Sequence, residues 1–140
     1  MRPLLKYCGN HSFHDLQCSL NSRADYIGVV FAKSKRQVTQ EQLSDWLNKL
    51  TWPKEKKLVG LFVNEEIEKI KTIVQTVPLH IVQCHGNESA EYMKQLAEEI
   101  SLPLWKAIHH CEGAWEVMEL YAPYVETFVI DNKTAHAWGG

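Results

Sequence analysis

The sequence predicts an α/β fold in which six short strands alternate with helices and pair in parallel. Three observations predict it. Apolar runs rich in β-branched residues recur along the chain, as suits strands buried on both faces of a parallel sheet. Capped stretches with a helical apolar stripe separate them. Strands joined through helices must run parallel with right-handed crossovers. Two architectures satisfy this order: an open doubly wound sheet, or part of a (β/α)₈ barrel.

The strands are expected at Leu4–Tyr7, Tyr26–Phe31, Leu58–Val63, Leu79–Gln83, Leu104–Ala107 and Thr127–Ile130. Ser12 caps the first helix, with Leu16 and Leu20 on its stripe. Thr39 and Gln42 form a capping box before Leu43, Trp46, Leu47 and Leu50. Asn64 is expected to cap the third helix, with Glu65 and Glu66 in its first turn, Ile67, Ile70, Val74 and Val77 inward, and Pro78 at its end. Ser89 opens the fourth, which carries Tyr92, Met93, Leu96 and Ile100. Val117, Leu120 and Tyr121 mark the fifth, closed by Pro123. The Trp52–Lys57 stretch reads as a polar connector within a single domain spanning residues 1–140.

Composition narrows the function classes. The 140 residues are 45% hydrophobic and 23% charged with a formal charge of −2, so nucleic acid and anionic membrane are not expected partners. No apolar run has the length of a signal peptide or membrane span. The four cysteines show neither C-x-x-C pairing nor zinc-ligand spacing, and a cytoplasmic, reduced protein without a metal is expected. The His109-His110-Cys111 cluster does not change this, because successive side chains diverge. Cys18 and Cys84 are expected to be packing residues.

In either architecture, chemistry belongs at the carboxyl ends of the strands. Those ends carry Cys8, the Lys33-Ser34-Lys35-Arg36 run, Asn64, Gln83-Cys84-His85, Lys106 or the His109-His110 pair, and Asp131. The first turn, Cys8-Gly9-Asn10-His11-Ser12, lacks the G-x-G-x-x-G signature of dinucleotide binding. Each residue also has a plain reading: Cys8 as a small buried hydrophobe, Asp131 as a turn cap, Arg36 and His85 as loop residues.

Five segments carry a resemblance. Lys6-Tyr7-Cys8-Gly9, Ala24-Asp25-Tyr26-Ile27-Gly28 with Ser34-Lys35-Arg36, Val59-Gly60-Leu61-Phe62-Val63-Asn64, Val82-Gln83-Cys84-His85-Gly86-Asn87-Glu88 and Val129-Ile130-Asp131 occur in that order. Together they resemble the phosphoribosylanthranilate isomerases of tryptophan biosynthesis. The resemblance implies a (β/α)₈ TIM-barrel fold of which the first six strand–helix units are present, an incomplete barrel. It implies an Amadori rearrangement of a small phosphosugar–anthranilate substrate, with no cofactor. It implies Asp131 as general acid, Cys8 as general base and Arg36 as clamp for the anthranilate carboxylate, with His85 and Gln83 lining the pocket.

The general acid has to be partly desolvated, and the base has to act as a thiolate. Lys6 shares a strand face with Cys8 and could assist it.

Three departures qualify the resemblance. Asn10 stands where the family has an apolar residue and is expected to perturb the loop beside Cys8. Cys84 replaces a leucine and is expected to loosen packing near His85. The chain reaches Trp138-Gly139-Gly140 where the family continues into two further units whose loops hold phosphate. Weak or absent activity and self-association through open sheet edges are therefore expected of this polypeptide alone. A non-catalytic partial barrel that pairs with itself or a partner is the alternative from a different class.

Overall fold

In the computed structural model, residues 2–132 are described. They form β1 (Lys6–Tyr7), α1 (Phe13–Leu20), β2 (Tyr26–Val30), α2 (Gln40–Asn48), β3 (Lys57–Phe62), α3 (Ile67–Thr76), β4 (Ile81–Cys84), α4 (Ala90–Glu99), β5 (Leu104–His109), α5 (Ala114–Tyr121) and β6 (Thr127–Asp131). The six strands make one parallel sheet in the order β1-β2-β3-β4-β5-β6. The Trp138-Gly139-Gly140 stretch lies outside the described residues, as does His136.

This order decides between the two architectures. A doubly wound sheet reverses its strand order and places helices on both faces. Here the order never reverses, and all five helices pack on one face. Leu16, Leu43, Ile70, Ile73, Met93 and Leu96 share a single buried cluster with Leu58, Phe62 and Val82, and Tyr121 packs against it. The other face carries a smaller cluster made only from strands: Val59, Ile81 and Trp105, with Tyr26 and Val129 against them. A parallel sheet with helices outside and strand side chains inside is the wall of a (β/α) barrel.

Local signals explain most elements. The Ser12 side chain accepts from the Asp15 N–H and Ser89 from the Tyr92 N–H, while Thr39 and Gln42 close a full capping box. Near the start of the chain, Arg2 forms a two-point pair with Asp25 (2.6 and 3.0 Å). Its hydrogen bonds, with one from the Leu5 N–H, hold the Asp25 carboxyl down at about 2.

Several expectations are corrected. Asn64 does not cap α3: the helix begins at Ile67 after Glu66, with no side-chain cap, and Asn64 sits in the left-handed region at φ 49°. Its Oδ1 instead accepts from the Asn87 N–H at 2.8 Å, since asparagine tolerates this conformation when its side chain has a local partner. β4 begins at Ile81, two residues late, and β5 runs to His109.

Burial on both faces holds for β2 to β5 but not for the outer strands, where Tyr7 and Ile130 are about half exposed. On α5, Leu120 and Val117 face outward and Tyr121 alone of the expected stripe packs inward. Cys18 is exposed beside His14, whereas Cys84 is buried as expected and burial pushes its thiol well up. The Trp52–Lys57 connector carries a buried cation: Lys56 Nζ donates to the carbonyls of Ser22 (2.8 Å) and Ala24 (2.6 Å).

Candidate active site

In a parallel sheet, residues in register lie side by side on the same face. Leu61, Gln83 and Trp105 are in register, so Gln83 shares the inner face with the strand-only cluster. His85 follows two residues later and points the same way. On β6, Val129 packs inward and Asp131, two residues on, pairs in register with His109. Strand alternation therefore aims Gln83, His85 and Asp131 into one space above the inner core.

There they form a hydrogen-bonded chain. Gln83 Nε2 lies 3.0 Å from His85 Nδ1, and His85 Nε2 lies 2.9 Å from Asp131 Oδ2. All three are sheltered, with Gln83 1% exposed and the His85 and Asp131 side chains 8% and 14% exposed. The Asp131 carboxyl is thus largely shielded from solvent. A donor on Gln83 leaves the His85 proton on Nε2, directed at the carboxylate.

Cys8 and Arg36 form a second group. A Cβ built on Gly28 would stand 2.8 Å from Cys8 Sγ, so the thiol rests directly over the bare backbone of β2. Arg36 Nη1 donates to the Cys8 carbonyl at 3.4 Å. Lys6 and Cys8 fall on one face as expected, with Lys6 in register with Tyr26. β1 and β6 lie at opposite ends of the sheet. Among the described residues no hydrogen bond joins the Cys8–Arg36 group to the Gln83–His85–Asp131 chain.

Asn10 behaves opposite to expectation. It is 6% exposed, and its Nδ2 donates to the carbonyls of Gly28 (2.9 Å) and Tyr7 (3.1 Å). Ser19 Oγ donates to its Oδ1 at 2.6 Å. Every polar group of this amide is used, so it fastens the Cys8 loop to β2 and α1.

Two further residues stand behind His85, one named above only as a polar group near the end of β5 and the other quoted only within a motif. Glu88 and Lys106 are buried together with Nζ 3.1 Å from Oε1. The visible signal was a lysine inside an otherwise apolar strand run. Among the described residues no group of three His, Cys, Asp or Glu side chains could hold a metal ion. No helix among them is long and apolar enough to cross a membrane.

Comparison with known proteins places this geometry. Residues 5–137 match the family described as N-(5'phosphoribosyl)anthranilate (PRA) isomerase. The chain belongs to the phosphoribosylanthranilate isomerase family. It is 49% identical to the N-(5'-phosphoribosyl)anthranilate isomerase of Halalkalibacterium halodurans over 100% of this chain and 64% of that protein. With the Geobacillus thermodenitrificans enzyme the identity is 46%, over 97% of this chain and 61% of the relative.

The crystal structure of the Thermotoga maritima isomerase superposes with a TM-score of 0.84 at 33% identity, covering 97% of this chain and 64% of that one. A phosphoribosylanthranilate isomerase in complex with reduced 1-(O-carboxyphenylamino)-1-deoxyribulose 5-phosphate superposes at 0.82 and 33% identity, over 94% of this chain and 66% of that one. The chain thus spans less than two thirds of the length of the first relatives it matches.

Proposed function

We propose that this chain carries the acid, the base and the carboxylate clamp of an isomerase that converts N-(5-phosphoribosyl)anthranilate to 1-(2-carboxyphenylamino)-1-deoxyribulose 5-phosphate, in tryptophan biosynthesis. The observation that carries this reading is the buried Gln83–His85–Asp131 chain at the carboxyl ends of β4 and β6. The family match and the ligand held by a relative of similar fold support it.

The chemistry balances within the substrate. Asp131 gives a proton to the furanose ring oxygen, and the bond from that oxygen to C1 breaks to leave an iminium ion. The Cys8 thiolate removes the proton on C2, forming an enaminol. A proton then adds at C1 as the C2 hydroxyl becomes a carbonyl. C1 is reduced and C2 oxidised by the same electron pair, so no external oxidant or cofactor takes part.

His85 holds Oδ2 of Asp131, and Oδ1 is the oxygen we assign to the substrate. Arg36 offers the planar two-point donor that a carboxylate matches. An imidazole and an amide at His85 and Gln83 position the acid and do not transfer its proton.

The described sheet fits the first six units of an eight-unit barrel, in which two more strands would pair with β1 and β6. Exposed Leu4, Leu5 and Tyr7 on the β1 side, and Trp115, Leu120 and Ile130 on the β6 side, support self-association of residues 1–140. Four free cysteines fit a reducing, cytoplasmic setting.

Fluorescence-monitored turnover of the substrate tests the reading. Residues 1–140 are compared with the same polypeptide continued by the remaining third of a relative. The longer form should turn over, and Cys8→Ser or Asp131→Asn in it should lower kcat by roughly 10²-fold or more. Full activity in either variant removes the acid–base assignment.

A further inference from the structure

A buried ion pair that the reaction does not use lies behind His85, the partner of the proposed acid. The Glu88 carboxylate is saturated: Oε2 accepts from the Asn64 N–H at 2.8 Å, and the Gly86 N–H reaches Oε1 at 3.0 Å and Oε2 at 3.2 Å. Lys106 Nζ donates to the Gly86 carbonyl (2.9 Å) and the Ala107 carbonyl (3.1 Å) and forms its ion pair with Glu88 Oε1 at 3.1 Å. The Tyr121 hydroxyl donates to the Glu88 carbonyl at 2.6 Å, and Lys106 Nζ lies 5.5 Å from the Tyr121 ring centroid.

Lys106 is in register with Cys84 and Phe128, so it projects to the helix side of the sheet, away from Gln83 and Asp131. It cannot touch a substrate held over the inner face.

What the pair grips is the backbone of one residue, through the peptide units on either side of its Cα. Gly86 gives its N–H to Glu88 and its carbonyl to Lys106, and Gly86 directly follows His85. A glycine there also leaves room for Asn64, whose Oδ1 would stand 2.6 Å from a Cβ on residue 86. Two opposite charges therefore hold the two successive peptide units that meet at Gly86, the first of which is joined directly to His85.

We propose that Glu88 and Lys106 are positioning residues which clamp the Gly86 backbone through the peptide units on both sides of it and thereby aim His85 at Asp131. Burying two charges is costly unless each is fully hydrogen-bonded, and stability alone is a weak reason to keep such a pair. Here the hydrogen bonds of both charged groups go to the loops after β3 and β4, or to the strand beneath them. The pair sets direction, because the reach from His85 Nε2 to Asp131 Oδ2 tolerates little movement before the hydrogen bond is lost. The catalytic meaning of the clamp rests on the function proposed above, but the geometry it enforces does not.

Imidazole nitrogen and proton NMR of the 140-residue chain tests it, with His85 assigned through His85→Gln and Asp131→Asn supplying the reference for a lost contact. Wild type should show a low-field, slowly exchanging His85 Nε2 proton. The double variant E88Q/K106M removes both charges together, avoiding an unpaired buried ion, and should move that signal toward the Asp131→Asn position. Tyr121→Phe, a milder loosening of the same loop, should move it in the same direction by less. Thermal unfolding is followed in parallel.

A His85 signal unchanged in a folded E88Q/K106M protein, or in Tyr121→Phe should the double variant not fold, overturns the proposal. In the longer, active form the double variant should lower kcat by about 10²-fold with KM nearly constant. If the signal moves while no form turns over the substrate, the clamp stands and the proposed function fails.

Discussion

The guanidinium of Arg36 occupies the space beside Gly9. A Cβ at that glycine would stand 2.2 Å from Nη1 and 2.5 Å from Cζ of Arg36, and Gly9 itself lies at φ +85°. The turn after β1 therefore does two things at once: it presents Cys8 to the inner face, and its bare backbone seats the proposed carboxylate clamp.

Gly9→Ala should consequently damage binding more than its size suggests. The left-handed backbone costs an alanine about 1–2 kcal/mol, and the methyl displaces the guanidinium. The expected result is a rise in KM of roughly tenfold in the active form, together with a lower melting temperature. Arg36→Ala should raise KM by roughly 10²-fold, since hydrogen bonds to a charged group are each worth about 1.5–3 kcal/mol, and leave the melting temperature close to wild type. KM for both variants that stays at the wild-type value would show that Arg36 does not hold the substrate.

Gly28 is the matching constraint on the thiol. A Cβ there would meet Cys8 Sγ at 2.8 Å and its Cα and Cβ at 3.2 Å, and the Cys8 backbone cannot give way as a side chain could. Gly28→Ala should cost about 1–3 kcal/mol of stability through overpacking and lower kcat by roughly 10²-fold through misplacement of the base. Mass-mapped alkylation gives an independent readout, because Cys18 and Cys111 are exposed and serve as internal references. The rate at Cys8 should change while theirs do not.

Asn10 and Ser19 make a third, purely structural prediction. Asn10→Leu removes both side-chain donations and leaves the buried Ser19 hydroxyl without its acceptor. Denaturant unfolding should show a loss of about 1–3 kcal/mol. Because the two residues share one hydrogen bond, adding Ser19→Ala should cost less in the Asn10→Leu background than in wild type. Strict additivity in that cycle would mean the pair is not coupled.

The extent to which the sequence declared this arrangement follows from what periodicity can express. Strand and helix positions were legible because continuous apolar runs alternate with stripes of helical spacing, and Ser12, Thr39 and Ser89 cap as their spacing says. The identity of the inner face was not, because a run such as Ile81–Cys84 is buried on both sides and looks the same either way. Strand register alone assigns Gln83 to the inner face and Lys106 to the outer.

Asn64 was misread because asparagine suits both a helix cap and a left-handed turn, and the choice depends on Gly86 and Asn87, more than twenty residues away. The burial of Lys56, Glu88 and Lys106 was not legible for the same reason: their partners are backbone groups and side chains supplied largely by other elements. Asn10 looked like a defect in a motif, and only the approach of Ser19 and Gly28 turns it into a fastening.

At the opposite end of the sheet, His80 gives a pH dependence with a definite sign. Its Nδ1 accepts from the Leu58 N–H at 2.9 Å, which requires that nitrogen to be unprotonated. Partial burial, and then the charge of Lys57, lower its pKa from the ordinary value of 6.5. The unfolded chain therefore takes up the proton at a higher pH than the folded one. The stability owed to neutral His80 is complete above about pH 6.5 and is lost as pH falls below it toward the depressed folded value. His80→Gln keeps an oxygen for the Leu58 N–H but cannot titrate. Chemical unfolding from about pH 7.5 down to about pH 5.5 should thus show wild type losing stability faster than the variant, with the curves parallel at the upper end. Because the two proteins differ only at residue 80, the difference between the curves isolates His80, and a constant difference across the range would contradict the assignment.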